Sequence, residues 1–325
     1  MRQLLSNKKI QVLLNGGLGI VLLVVAVVSV RHFAGMGWPL RHADPWLVAA
    51  SALLYLIAYP FKAWGWQRLF AKNDRPAAQA LAFAGGAACV GGVALPGRID
   101  DAVRMAVVKR YPGTRTGLGT LGLSLIVLGM LDNAALTPLA SVAAVDAHTW
   151  AIRAGFAVLA AAGVLAAVIV AMLPRLVRWR RVAHYRPARW LAGQSHLPKE
   201  TIAAWLFISV SWMLRGTAVF LLLNALSLKG SFPLALAFVC ASAASAALPI
   251  APAGAATQAG AGAAILIASG VPAGDALAFS VAAQAIVVVT GAAVLLLIAA
   301  WRFALHLRGP RTQPGATPAA AWKSF

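Results

Sequence analysis

Long apolar stretches alternate with short polar connections along nearly the whole chain. Six of them, about 11–30, 45–63, 117–140, 151–173, 201–227 and 277–301, are long enough to cross a bilayer as helices, which takes roughly 20 residues. Two more, about 77–95 and 233–250, are shorter and run into the same tripeptide. The first ends at Ala94-Leu95-Pro96 and continues as Gly97-Arg98-Ile99-Asp100-Asp101; the second ends at Ala247-Leu248-Pro249, followed by Pro252, Gly254 and Gln258. Gly/Pro-interrupted segments at corresponding places in two halves of a membrane protein point to a transport site.

The loop charges decide how those short segments run. If both turn back, every Lys and Arg outside a span falls on the cytoplasmic side except Arg31, Arg41, Arg153 and Lys229, and Arg215 is left within a span. If both cross, the cations divide almost evenly. The positive-inside rule favours the first arrangement. The expected fold is therefore an all-α polytopic membrane protein with about six transmembrane helices and two re-entrant helical hairpins. Lys62 counts there among the cytoplasmic charges, and both termini are cytoplasmic. One hairpin enters from each face, so the halves, about 45–140 and 201–301, are inverted-topology repeats. A single membrane domain is expected over 1–305, with a basic cytoplasmic loop at 174–200 and a disordered Pro/Gly/Ala-rich tail at 306–325. Lys8 and Lys9 precede an apolar run to Val30 that lacks an Ala-x-Ala site, which predicts an uncleaved first span.

Composition agrees: mean hydropathy is +0.80, 61% of residues are apolar and 11% are charged. A net charge of +20 would suggest nucleic acid in a soluble protein. With the cations in the connections between spans, anionic lipid headgroups are the expected partners and nucleic acid is not. Cys89 and Cys240 sit in apolar segments as packing residues, and the six histidines show no ligand spacing, so neither metal nor other cofactor is expected.

Arg98, Asp101 and Arg104 follow the first break at helical spacing and can share a face. With Pro96-Gly97 at the tip of a re-entrant loop, they would face a cavity, where paired guanidinium groups suit a phosphate or carboxylate. The alternative is an interfacial helix with its charges in water. The second break offers an uncharged counterpart in Pro249, Pro252, Gly254, Thr257 and Gln258, whose backbone amides could hold a headgroup or merely form a turn. Asp132 and Arg215 fall at similar depth in their spans and are expected to form an ion pair, structural or gating. Loop 175–199, with Trp179, Tyr185 and Trp190 among its cations, suits a segment lying on an anionic leaflet, and equally a plain topology determinant.

The run Leu95-Pro96-Gly97-Arg98-Ile99-Asp100-Asp101-Ala102-Val103-Arg104 resembles the LPGRxGExxR signature of the lysylphosphatidylglycerol synthase transmembrane-region family, also called flippase-like. Leu248 to Gln258 resembles that family's LPxxPGGxGTQ segment, and Gly270-Val271-Pro272 its following turn. Asp100 and Asp101 stand where the family has Gly and Glu, and Ala253 and Ala256 replace glycines. No soluble aminoacyl-transferase domain follows in this sequence. The resemblance implies lipid translocation or lipid handling without lysine transfer. With the basic motif, the expected protein is a multi-pass, non-enzymatic protein of the inner or plasma membrane that translocates or binds an anionic phospho- or glycolipid. Two other classes stay open: a membrane-embedded enzyme using Asp100 and Asp101 on a lipid-linked substrate, and an accessory protein of a cell-envelope synthase. A homo-oligomer is equally open.

Overall fold

The computed structural model describes residues 43–94, 99–147, 149–176, 198–228, 230–247 and 254–307. Numbered in chain order, the described helices are α1 (Pro45–Gln67), α2 (Ala78–Ala94), α3 (Ile99–Arg110), α4 (Leu118–Asp146), α5 (Trp150–Leu176), α6 (Pro198–Ala225), α7 (Phe232–Ala247), α8 (Gly254–Ala268) and α9 (Ala273–Leu307). There is no strand among the described residues. In a bilayer every backbone amide must be satisfied within its own segment, which is why apolar Ala-, Leu- and Val-rich stretches resolve as helices.

Five of these helices, α1, α4, α5, α6 and α9, are long and apolar enough to cross a membrane. They correspond to five of the six expected spans. The sixth, 11–30, lies outside the described residues, as do most of the basic loop and the tail beyond Leu307. Helix α9 runs on to Leu307, so the expected tail begins as helix. Large apolar side chains on the outer faces, such as Val158, Leu165 and Val168 of α5 and Leu296 and Leu297 of α9, are exposed in a manner suited to lipid.

Local chemistry sets the ends. Asp44 caps α1, its carboxylate accepting from the Trp46 and Leu47 amides at 2.9 and 3.4 Å, with Pro45 at the first helical position. Gly270, at φ +90°, closes α8. Its neighbour Val271 donates from its amide to the Leu266 carbonyl at 3.0 Å, a turn that favours glycine.

The described helices on either side of each Ala-Leu-Pro break pack against each other as a helical hairpin. In the first, Phe83 of α2 stacks near Tyr111 just beyond α3, at 6.3 Å between centroids, and Gly91 lies opposite Val103. In the second, Ser242 of α7 donates to the Gln258 carbonyl of α8 at 3.0 Å, and Phe238 packs on Gly262. Residues before each tip meet residues equally far beyond it, so each pair of helices folds back antiparallel about its break.

The centre of the molecule is the packing of α1 on α6. Asp44 donates from its amide to the Ala225 carbonyl at 3.0 Å, Ser51 from its hydroxyl to Ala218 at 2.8 Å, and Ser211 from its hydroxyl to Ala58 at 2.9 Å; Gly65 sits against Ala204. Numbers rise by seven on one helix as they fall by seven on the other, so the helices run antiparallel with a seven-residue seam. Every side chain on that seam beyond Asp44 is Ser, Ala or Gly. Small residues let two helix backbones approach closely where lipid offers no hydrophobic drive to associate.

Around this pair, the order helix, hairpin, helix occurs twice: α1, α2/α3, α4, then α6, α7/α8, α9. Shifting the first set by 153 residues, the distance from Pro96 to Pro249, brings each helix start within two residues of its counterpart. Packing follows the same exchange: α9 lies against α2 and α1, as α4 lies against α7 and α6. At the α2–α9 crossing a Cβ on Gly86 would stand 2.7 Å from the Gly291 carbonyl, so Gly86 needs to be glycine, and a Cβ on Gly291 would be tight, 3.0 Å from the Cys89 side chain.

Candidate functional site

Charged groups meet inside the bundle beside the α1–α6 seam. Lys62 of α1 places Nζ 2.9 Å from Oδ2 of Asp132 on α4. The other carboxylate oxygen accepts from the Trp212 indole Nε1 at 2.9 Å. The Lys62 ammonium also lies over the Trp212 ring, 5.2 Å from its centroid, and the Arg215 guanidinium lies 5.1 Å from that centroid. Arg215 stands over Tyr59 as well, at 5.9 Å. Its Nε is buried without a hydrogen-bond partner, and it forms no ion pair among the described residues.

Two expectations change here. Lys62 is not a loop charge: it lies inside α1, five residues before the helix ends at Gln67. The expected Asp132–Arg215 pair is replaced by Asp132–Lys62. The Trp212 indole occupies the space between the carboxylate and the guanidinium, bonding one through its N–H and stacking on the other through its ring. The side chains of Lys62 and Asp132 are each 20% exposed, so the pair is only half-buried among apolar helices.

In the first hairpin, Asp100 and Asp101 occupy the first turn of α3, where acidic groups complement the helix dipole. Arg104 pairs with both, Nη1 to Asp101 at 3.0 Å and Nη2 to Asp100 at 3.4 Å. This cluster is half-buried. Pro96, Gly97, Arg98, Pro249 and Pro252 lie outside the described residues.

In the second hairpin Gly254 opens α8, and Thr257 and Gln258 are half-buried on it. The Gln258 carbonyl is the acceptor that ties α8 to α7. Among the described residues no group of three or more His, Cys, Asp or Glu converges as a metal site. Lys62, Trp212 and Tyr59 escaped notice in sequence. The signal was present, since Lys62 and Tyr59 precede Arg215 and Trp212 by the same 153 residues as the two prolines.

A multi-pass α-helical membrane protein, with paired helical hairpins and a charged cluster between its spans, is the class that fold and site define. The chain belongs to the lysylphosphatidylglycerol synthase transmembrane-region family, whose model matches residues 13–294. It is thereby a membrane protein of a family in lipid metabolism. No curated protein and no solved structure matches the chain.

Proposed function

We propose that this protein is a flippase-like carrier that takes an anionic lipid headgroup through the centre of the bundle while the acyl tails stay in the bilayer. One observation carries this most: α1 and α6, which hold equivalent places in the two halves, run antiparallel. Equivalent helices of opposite sense are what inverted-topology repeats require, and such repeats suit alternating access about a central site.

The hairpins support it through their length. Helices α2 and α7 have 17 and 16 residues. At 1.5 Å per residue each reaches about 25 Å, short of the roughly 30 Å hydrocarbon core. Their tips would therefore lie within the membrane as re-entrant turns, one from each face. The loop-charge bias survives moving Lys62 into α1, which supports cytoplasmic termini and a plasma- or inner-membrane location. In this scheme Arg98, Asp101 and Arg104 meet the headgroup from the cytoplasmic side, and Thr257 and Gln258 from the other.

The test is headgroup exposure in liposomes holding the purified protein and a labelled anionic lipid. Native protein moves label across the bilayer, and the Arg98→Ala/Arg104→Ala double variant moves it at least about tenfold more slowly, as expected for lost charge-assisted contacts. Equal rates for both would remove the hairpin site from the mechanism.

A further inference from the structure

The offset of 153 residues pairs Lys62 with Arg215 and Tyr59 with Trp212. The contacts obey the same exchange: Lys62 stacks over Trp212, and Arg215 stacks over Tyr59. Each half thus contributes a cation that lies on an aromatic ring of the other half.

The Ala58–Ser211 contact fixes the centre of this exchange, because those two residues are each other's counterparts at the same offset. Lys62 lies four residues beyond Ala58 toward the α1 C-terminus, and Arg215 four beyond Ser211 toward the α6 C-terminus. Since the helices are antiparallel, the two cations sit on opposite sides of the centre. At 1.5 Å per residue each backbone is about 6 Å from it. Both charged ends nevertheless converge on the Trp212 indole, within 5.2 Å of its centroid.

Asp132 breaks the symmetry. Its counterpart is Ala285, which has no charge to offer. Lys62 is therefore neutralised by a carboxylate at 2.9 Å, while Arg215 has rings for neighbours and a buried Nε without a partner. A guanidinium among apolar helices, with no carboxylate beside it, leaves a net positive charge where charge is costly. An anion arriving from outside the protein would relieve that cost. Guanidinium groups bind phosphate oxygens in a bidentate manner that an ammonium cannot match.

The geometry points to a two-station anion site at the centre of the bundle, in which Arg215 receives the phosphodiester of a lipid headgroup and Lys62 is the second station, held closed by Asp132. The site rests on the carrier described above and adds its interior. Lys62 and Arg215 lie on opposite sides of the Ala58–Ser211 centre, so a headgroup crossing the bundle meets one station and then the other. Asp132 is the internal anion that the headgroup replaces on Lys62 as it passes.

The experiment uses the full chain in nanodiscs of phosphatidylcholine doped with phosphatidylglycerol, followed by delipidation and native mass spectrometry of retained lipid. The native protein retains phosphatidylglycerol selectively. Arg215→Gln lowers that retention about tenfold, while Arg215→Lys, which keeps the charge but loses the bidentate fork, falls between native and Arg215→Gln. Ala285→Asp puts a carboxylate at the position equivalent to Asp132 and lowers retention as Arg215→Gln does, whereas the neutral Ala285→Asn does not. Asp132→Asn frees Lys62 and raises retention. If Ala285→Asp elutes as aggregate, the Arg215→Gln and Arg215→Lys pair decides.

Native-level retention in folded Arg215→Gln overturns the site. Binding of inorganic phosphate to protein in pure phosphatidylcholine discs, with no selective retention of phosphatidylglycerol, overturns the lipid as its occupant. Selective, Arg215-dependent retention without lipid movement in liposomes upholds the site and sinks the carrier. Lipid movement with retention indifferent to Arg215 does the reverse.

Discussion

The Lys62 ammonium lies 2.9 Å from the Asp132 carboxylate inside the helical bundle, joining α1 to α4. Trp212 completes the arrangement by donating to the free carboxylate oxygen from α6, so three helices share one half-buried polar node. A half-satisfied polar network is worse than none in a low-dielectric interior, and here every member depends on the others.

Removing one partner of this pair strands the other. Lys62→Met and Asp132→Asn should each lower stability by roughly 1–3 kcal/mol, below the range for fully buried pairs because both side chains are partly exposed. The double variant should be more stable than the sum of the two losses predicts. Thermal unfolding in detergent, run as a double-mutant cycle, checks this; strict additivity would show that the pair is not coupled.

Trp212 serves as donor and as stacking surface, and two substitutions separate the roles. Trp212→Phe removes the bond to Asp132 but keeps a ring beneath Lys62 and Arg215, and should cost about 1 kcal/mol. Trp212→Leu removes both and should cost about twice that. Equal melting temperatures for the two variants would mean that the stacking contributes nothing.

The α2–α9 crossing depends on Gly86. Because a Cβ at Gly86 would meet the Gly291 carbonyl at 2.7 Å, Gly86→Val must push the helices apart. The expected loss is roughly 1–3 kcal/mol, as for other overpacked sites. Gly155→Ala on α5, where nothing lies within 4 Å of the added Cβ, is the control and should leave the melting temperature within about a degree of native.

On the seam, Ser51→Ala and Ser211→Ala each remove one hydroxyl bond to the facing helix, at 2.8 and 2.9 Å. Each should cost only about 0.6 kcal/mol, because alanine suits the close approach equally well and interhelical hydrogen bonds in membranes are modest. Replacement by leucine should cost several times more. Comparable losses for Ala and Leu at Ser211 would refute the close-packed seam.

At the end of the bundle, Glu200 accepts from Arg68 at 3.0 Å and lies 3.5 Å from Arg75. These side chains are 21–37% exposed, so Glu200→Gln should cost less than about 1 kcal/mol, and the loss should shrink as salt rises. A loss insensitive to salt would mean the cluster is sealed from solvent.

Much of the fold was legible because a bilayer demands long apolar helices. The expected spans 45–63, 117–140, 151–173, 201–227 and 277–301 all appear, with ends shifted by a few residues where helices outlast the apolar run. The two short segments also appear as α2 and α7, ending at the expected tripeptides. The site was legible only in its first hairpin, where Asp101 and Arg104 lie three residues apart on one helix and do pair. Local spacing settles such a contact. The partner of Asp132 was not legible, since Lys62 and Arg215 are both cations on helices far away in sequence.

By itself, then, the sequence determined the helices, their breaks and the side of the membrane that its loop charges favour, because these follow from length, hydropathy and composition along one dimension. The tertiary structure alone decided which cation meets Asp132. That choice depends on the antiparallel register of α1 against α6, set by a seven-residue seam of small side chains, and on an indole large enough to keep Arg215 from the carboxylate. Contacts across such a seam are fixed by how closely two backbones can approach, and no single stretch of chain carries that information.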